Sequence, residues 1–266
     1  MVYQEAYQKL CGILEEMGSV AVAFSGGVDS AFLLKAASEA NCRVVAMTAF
    51  SSFIPKKEQE EATELAGQLE VPHIICRVPE NVIDPFRHNP PDRCYHCKRA
   101  IFGEFVKTAS ENDLAYVVEG SNLDDDNDYR PGMRAIKELG VRSPLKEAGF
   151  TKEMIRAVSH ELGLNTWNKP SYACLASRIP YGDTITPDKL RMAELAEDML
   201  HEMDFKQCRV RVHDRIARIE LMPSDMEGML DAAMREKIDT YFKSIGFAYV
   251  ALDLKGYRTG SLNEVL

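Results

Sequence analysis

The stretch Ser19-Val20-Ala21-Val22-Ala23-Phe24-Ser25-Gly26-Gly27-Val28-Asp29-Ser30 decides how the chain is read. Its first six residues are partly β-branched and almost wholly apolar, the pattern of a strand covered on both faces by helices. The strand runs straight into two glycines flanked by serines, and helical spacing is expected from residue 30 to residue 40. Glycine lets backbone approach an anion closely, and the free N–H groups of a helix N-terminus point at it. Ser25, Gly26, Gly27, Asp29 and Ser30 are therefore the candidate phosphate-binding residues, with the two serines adding hydroxyl donors. Asp29 fits such a cradle only by holding a magnesium ion or positioning a backbone amide, because its own charge repels the ligand. The spacing matches neither the Walker P-loop nor the dinucleotide fingerprint G-x-G-x-x-G.

On either side of this stretch the same alternation recurs. Residues 3–17 form an amphipathic helix ending at Gly18; strands are expected at 43–49, 73–78 and 115–120, and helices at 56–70, near 98–110 and near 131–139. Strands alternating with helices imply an α/β fold with a doubly wound parallel sheet, whose ligands bind at the carboxyl ends of the strands. Thr151 reads as the cap of a helix ending around Gly163. Residues 165–186 then show no period and contain Pro170, Pro180 and Gly182, so they read as a functional loop between domains. Thr186-Pro187 opens a helix to about Met203, a hairpin turns at Asp214-Arg215, a helix covers about 225–244 and a last strand 248–254. The expected organisation is a first domain over residues 1–165, an active-site loop over 166–186 and a smaller C-terminal α+β domain over 187–266.

The formal charge of −9 gives no general attraction to polyanions, which favours a small substrate over nucleic acid. No apolar run is long enough for a membrane span and the N-terminus lacks a signal-peptide pattern, so a cytoplasmic location is expected. Seven cysteines then point to thiols, metal ligands or redox chemistry. Cys94 and Cys97 form a C-x-x-C pair that suits one metal, one cluster or a redox couple. Cys174 lies in the loop Ser171-Tyr172-Ala173-Cys174-Leu175-Ala176-Ser177-Arg178, not in a core pattern. The three thiolates suit zinc with His96 or water, or a [4Fe–4S] cluster with one iron open to carry sulfide. Cys11, Cys42, Cys76 and Cys208 sit in helical or strand patterns and read as packing residues. The segment 119–132 follows a strand of the same sheet, which brings Gly120 and Asn122 to the edge that holds the serine–glycine loop.

The motif SGGVDS resembles the signature of the PP-loop ATP pyrophosphatases, which have an adenine nucleotide alpha hydrolase-like fold. With EGSNLDDDNDYRPG, GVRSPLKEAGFTK, NKPSYACLASRIPYGDTIT, RVRVHDRIARIE and LDLKGYRTGSLNE, the whole chain resembles one branch, the LarE-type pyridinium-3,5-biscarboxylate mononucleotide sulfur transferases. The resemblance implies ATP with magnesium at SGGVDS, adenylylation of a pyridinium carboxylate, and displacement of AMP by sulfur to leave a thiocarboxylate. This is a step toward the nickel-pincer nucleotide of lactate racemase. Cys174 matches the family's sulfur-donor cysteine, which in single-cysteine members is itself consumed. Cys94 and Cys97 depart from that pattern and favour a cluster-based variant held with Cys174. Hexameric assembly is implied in the same way.

A mononucleotide substrate needs a basic seat for its phosphate. Arg209 and Arg211 alternate on one strand and so share a face, with Arg178 nearer the sulfur centre; the alternative is a solvent-exposed strand face. Two other readings stay open. A tRNA thiolase uses the same ATP loop and three cysteines, and a noncatalytic metal-binding module accounts for the cysteines but leaves SGGVDS unexplained.

Overall fold

A computed structural model describes residues 2–127, 131–169, 174–258 and 260–265, with side chains 80, 82, 83, 126, 127, 230 and 265 left out. The chain divides into two compact units, Met1–Pro85 with Asp92–Tyr172, and Phe86–Pro91 with Ala173–Leu266. No helix among the described residues is long and apolar enough to cross a membrane.

The first unit runs α1 (Gln4–Met17), β1 (Ser19–Ala23), α2 (Val28–Glu39), β2 (Arg43–Phe50), α3 (Lys56–Gln68), β3 (His73–Arg77), α4 (Arg93–Glu111), β4 (Tyr116–Val118), α5 (Gly132–Glu138), α6 (Pro144–Ala148) and α7 (Lys152–Glu161). The strands form one parallel sheet in the order β3-β2-β1-β4. Alternate side chains of β1, β2 and β4 supply two separate cores, as the two-residue period of a pleated strand requires, while β3 contributes to one of them. Val20 and Val22 face a core built with α1, α2, α3, α6 and α7, whereas Ala21 faces one built with α4 and α5. Helices thus cover both faces. Chain order runs outward from β1 through β2 to β3 and then crosses back to β4 on the other side, so the switch point lies between β1 and β4.

Besides small shifts at strand ends and the unexpected short helix α6, three differences from the sequence reading bear on the site or the second unit. The α2 helix starts at Val28, which makes the last three residues of SGGVDS its first turn. The α4 helix starts at Arg93, after Pro90-Pro91-Asp92, so Cys94 and Cys97 stand on the helix and not ahead of one beginning near residue 98. The helix expected over 225–244 is broken in the second unit into a 3₁₀ segment, Pro223–Leu230, and an α-helix that restarts where the Asp231 carboxylate accepts from Met234 N at 2.7 Å. Thr151 and Thr186 are side-chain caps, accepting from Met154 N and Lys189 N.

The second unit contains a 3₁₀ turn, Leu175–Arg178, then α8 (Pro187–Glu202), β5 (Cys208–His213), β6 (Ile216–Leu221), α9 (Ala232–Ser244) and β7 (Tyr249–Leu252). The β5–β6 pair is the expected antiparallel hairpin, and β7 adds in parallel beside β6.

Candidate active site

The loop Ser25–Gly27 leaves the carboxyl end of β1 and turns into α2 within three residues. Gly26 makes the turn at φ +68, and a Cβ there would meet Ala62 Cα of α3 at 3.1 Å. Only glycine accepts both the left-handed backbone and that approach. Ser30 Oγ lies 3.2 Å from both the amide and the hydroxyl of Ser25 and donates to the Gly27 carbonyl at 3.3 Å. The cradle is thereby closed on itself by the first turn of α2, and the free N–H groups of that turn face its mouth.

Across the switch point, Gly120 packs on the same turn: a Cβ would lie 3.1 Å from Asp29 Cβ and from Ser30 N. Glu119 fixes the start of this loop, accepting from Ser121 N at 3.1 Å and Ser121 Oγ at 2.8 Å and from the Ser143 hydroxyl. Its continuation is tied to α7: Asn122 N donates to Asp125, Asn122 Oδ1 accepts from Asp124 N, and Asp124 accepts from Lys152 N at 2.8 Å. A cavity of about 610 Å³ opens between the two loops, lined by Ser25, Gly27, Asp29, Ser30, Gly120, Asn122 and Lys152 and walled by α4.

Asp29 has one oxygen 2.6 Å from the Lys152 ammonium. Its other oxygen is buried with no hydrogen-bond partner among the described residues. Lys152 was missed as a site residue, although it closes the run GFTK; a partner 123 residues away leaves no local signal. Lys169 ties the loop from another side, donating to the Gly26 carbonyl at 3.0 Å and to Glu61 at 2.7 Å.

The cysteines divide by environment. Cys94 is exposed and Cys97 half-buried, three residues apart on the first turn of α4 and so on one helix face. The Arg93 guanidinium stands 3.9 Å from Cys94 Sγ, and His96 Nε2 pairs with Asp92 at 3.2 Å. Among the described residues no group of three or more His, Cys, Asp or Glu side chains is assembled for a metal ion. Cys76 and Cys208 are buried, and burial pushes the Cys208 thiol up to about 12. Burial also raises the thiols of Cys11 and Cys42, which pack against the first core.

In the second unit Cys174 is exposed and caps the 3₁₀ turn; residues 170–173, including Ser171, lie outside the described residues. Its carbonyl accepts from Arg178 Nη1 at 3.3 Å. Arg178 is buried and bound bidentately by Glu197 at 2.8 and 2.7 Å. Arg211 is held likewise by Glu220 at 3.0 and 2.9 Å and also donates to the Ser177 carbonyl and Ser261. Both Arg209 and Arg211 are buried, which excludes the exposed strand face as their setting. Arg209 differs from the other two: it donates to the Cys208 carbonyl and lies over the Tyr257 ring, and it forms no ion pair among the described residues. Burial and the neighbouring Arg178 charge push its guanidinium below its ordinary range.

No protein-family model matches the chain. An uncharacterized protein of Synechocystis sp. is 40% identical over 253 residues, 94% of each chain. The pyridinium-3,5-bisthiocarboxylic acid mononucleotide synthase of Lactiplantibacillus plantarum is 38% identical over 259 residues, 97% of this chain and 93% of the relative. A tRNA-specific 2-thiouridylase of Clostridium botulinum is 26% identical over 184 residues, 57% of this chain and 52% of the relative. This more distant likeness agrees with the parallel sheet and serine–glycine loop of a PP-loop fold. With near-complete coverage by the synthase, the chain belongs to the LarE-type family of sulfur transferases, that of pyridinium-3,5-bisthiocarboxylic acid mononucleotide synthase.

Proposed function

We propose that the chain adenylylates a carboxylate of a pyridinium mononucleotide with ATP and then exchanges AMP for sulfur, leaving a thiocarboxylate on the way to a nickel-pincer nucleotide. The observation that carries this reading is the cavity at the switch point, where the serine–glycine cradle and the α2 N-terminus meet Gly120 and the Asp29–Lys152 pair. ATP lies with its phosphates in the cradle and its adenosine toward Gly120 and Asn122. The substrate carboxylate oxygen attacks the α-phosphorus, and the bond to pyrophosphate breaks with its electron pair leaving on pyrophosphate. Positioning and charge stabilisation suffice here, since the nucleophile is already an anion. The second oxygen of Asp29 fits a magnesium ion by donor type and by having no hydrogen-bond partner among the described residues. Magnesium when bound neutralises phosphate charge.

In the second step a sulfur nucleophile adds to the acyl carbon and AMP leaves. Cys174, exposed and with its carbonyl accepting from Arg178, serves this step as a ligand of the sulfur-carrying group or, in the single-turnover alternative, as the nucleophile itself. By donor chemistry Cys94 and Cys97 would hold a [4Fe–4S] cluster, with Cys174 as the third ligand in this reading, and such a cluster would supply a replaceable sulfide. The substrate phosphate is received at Arg209, while Arg178 and Arg211, engaged by Glu197 and Glu220, shape the seat. The partners in this reading are the mononucleotide and further copies of the chain, in the cytoplasm, with no nucleic acid or membrane.

The test is pyrophosphate release from ATP, measured with a pyridinium dicarboxylate mononucleotide and with unmodified tRNA as alternative acceptors, alongside mass detection of the thiocarboxylate. Release that depends on the mononucleotide is expected. Release that depends on tRNA alone overturns the assignment.

A further inference from the structure

Two lysines line the switch-point cavity, Lys98 from α4 and Lys152 from α7. Lys152 is neutralised by Asp29 at 2.6 Å. Lys98 is half-buried, and among the described residues its ammonium has no carboxylate partner; its contact is the Met133 thioether sulfur at 3.9 Å. A cation held partly out of water without a counter-ion carries a desolvation cost that the protein leaves uncompensated. Such a group is arranged for an anion that arrives with the ligand.

Its position narrows which anion. Met133 Sδ also accepts from Ser121 Oγ at 3.5 Å, and Ser121 follows Gly120, which packs on the first turn of α2. The ammonium therefore stands on the β4-loop side of the cavity, separated from Ser121 by the Met133 sulfur. Space for the lysine stem exists because residue 132 is glycine: a Cβ there would lie 2.6 Å from Lys98 Cδ. Further along α4, Ile101, Phe102 and Phe105 continue the cavity wall as apolar surface, which suits a flat ring more than a charge. The charged part of a bound ligand thus meets Lys98 at the junction between the ring-binding wall and the β4 loop.

We infer that Lys98 is a catalytic residue of adenylylation, its ammonium contacting the non-bridging oxygens of the α-phosphoryl group. The inference rests on the ATP-dependent reading of this cavity. In the step it serves, a bond forms between the substrate carboxylate oxygen and the α-phosphorus, and the bond from that phosphorus to pyrophosphate breaks. Lys98 stays protonated throughout; it moves no proton and stabilises the charge crowded onto the phosphoryl oxygens.

The experiment compares Lys98→Met, Lys98→Arg and Gly132→Ala with the wild type in mononucleotide-dependent pyrophosphate release, with thermal melts as a fold control. Removing one preorganised charge donor predicts a kcat lower by about 10²–10³-fold in Lys98→Met, with the KM for ATP within about threefold. Lys98→Arg keeps the charge and is expected to recover at least about tenfold of that loss. Gly132→Ala leaves the lysine in place but displaces its stem, so kcat falls, while the contact of the new methyl with the Cys94 carbonyl at 3.3 Å lowers the melt only slightly. A Lys98→Met enzyme with kcat within about threefold of wild type overturns the inference, as does a loss confined to the KM for ATP. If Lys98→Met melts early, Gly132→Ala decides, and an unchanged kcat there overturns it equally. A wild type that releases no pyrophosphate sinks the ATP reading and this inference with it, whereas an active wild type beside an unaffected Lys98→Met sinks this inference alone.

Discussion

Replacing Glu197 by alanine is expected to be among the most destabilising single changes in the second unit. Glu197 is buried and accepts three hydrogen bonds, from Arg178 Nε at 2.8 Å, Arg178 Nη2 at 2.7 Å and Val210 N at 2.9 Å. Alanine leaves the guanidinium of Arg178, 2% exposed, without its counter-ion. Breaking a buried pair from one side costs about 3–5 kcal/mol, and an orphaned buried amide adds about 1–3 kcal/mol. At about 2–4 °C per kcal/mol for a chain of this size class, the lower bound of the pair alone predicts a fall in Tm of at least about 6 °C. The double variant Arg178→Met, Glu197→Leu removes both charges and should recover most of the loss, because apolar replacement of a buried pair is often neutral or stabilising. Calorimetry and urea unfolding followed by circular dichroism measure both. A Glu197→Ala protein within about 1 kcal/mol of wild type, or a double variant no more stable than the single one, refutes the reasoning. The same pair carries a pH dependence. Burial opposes ionisation of Glu197, but the Arg178 guanidinium outweighs it and holds the carboxyl below the usual range. In the acid window below about 4.3 the unfolded carboxyl binds the proton first, so the stabilisation is present above that pH and is lost as pH falls through the lower folded value. Unfolding curves at successively lower pH should show this loss in wild type and not in Glu197→Gln.

Further outcomes follow from the cradle and the thiols. Gly26→Ala should lower stability by about 1–2 kcal/mol through the left-handed backbone alone, read as a Tm shift. Gly27→Ala should melt like wild type, since its φ is −80 and the nearest atom to a Cβ is Ser25 Oγ at 3.4 Å, yet lose pyrophosphate release because the methyl occupies the cradle mouth. Asp29→Asn should change stability by no more than about 1 kcal/mol, as its ion pair with Lys152 is part-exposed, while abolishing pyrophosphate release. For sulfur, Cys94→Ala, Cys97→Ala and Cys174→Ala should each lose iron–sulfur absorbance after anaerobic reconstitution and keep adenylylation. Dehydroalanine at Cys174 after one cycle, with the Cys94 and Cys97 variants still active, shows instead that the protein gives up its own sulfur.

Much of the architecture was legible because it is written in local periods. The apolar run Ser19–Ala23, its repeats, the Thr151 and Thr186 caps and the turn at Asp214-Arg215 each reflect interactions between residues a few positions apart. The serine–glycine loop was legible for the same reason, since its glycines and hydroxyls serve a turn six residues long. Tertiary structure alone decided what is paired with what. Asp29 meets Lys152, Arg178 meets Glu197 and Arg211 meets Glu220 through folding that brings distant positions together. An arginine pattern on a strand looks the same whether its charges face a ligand or a buried carboxylate, and only the partner's position distinguishes them. Lys98 is the converse case, an ordinary helical lysine in the sequence, singled out because the fold sets it in a cavity wall where it forms no ion pair among the described residues. The chemistry of a charged side chain is set by its counter-charges, and counter-charges are a property of three-dimensional proximity that no local pattern encodes.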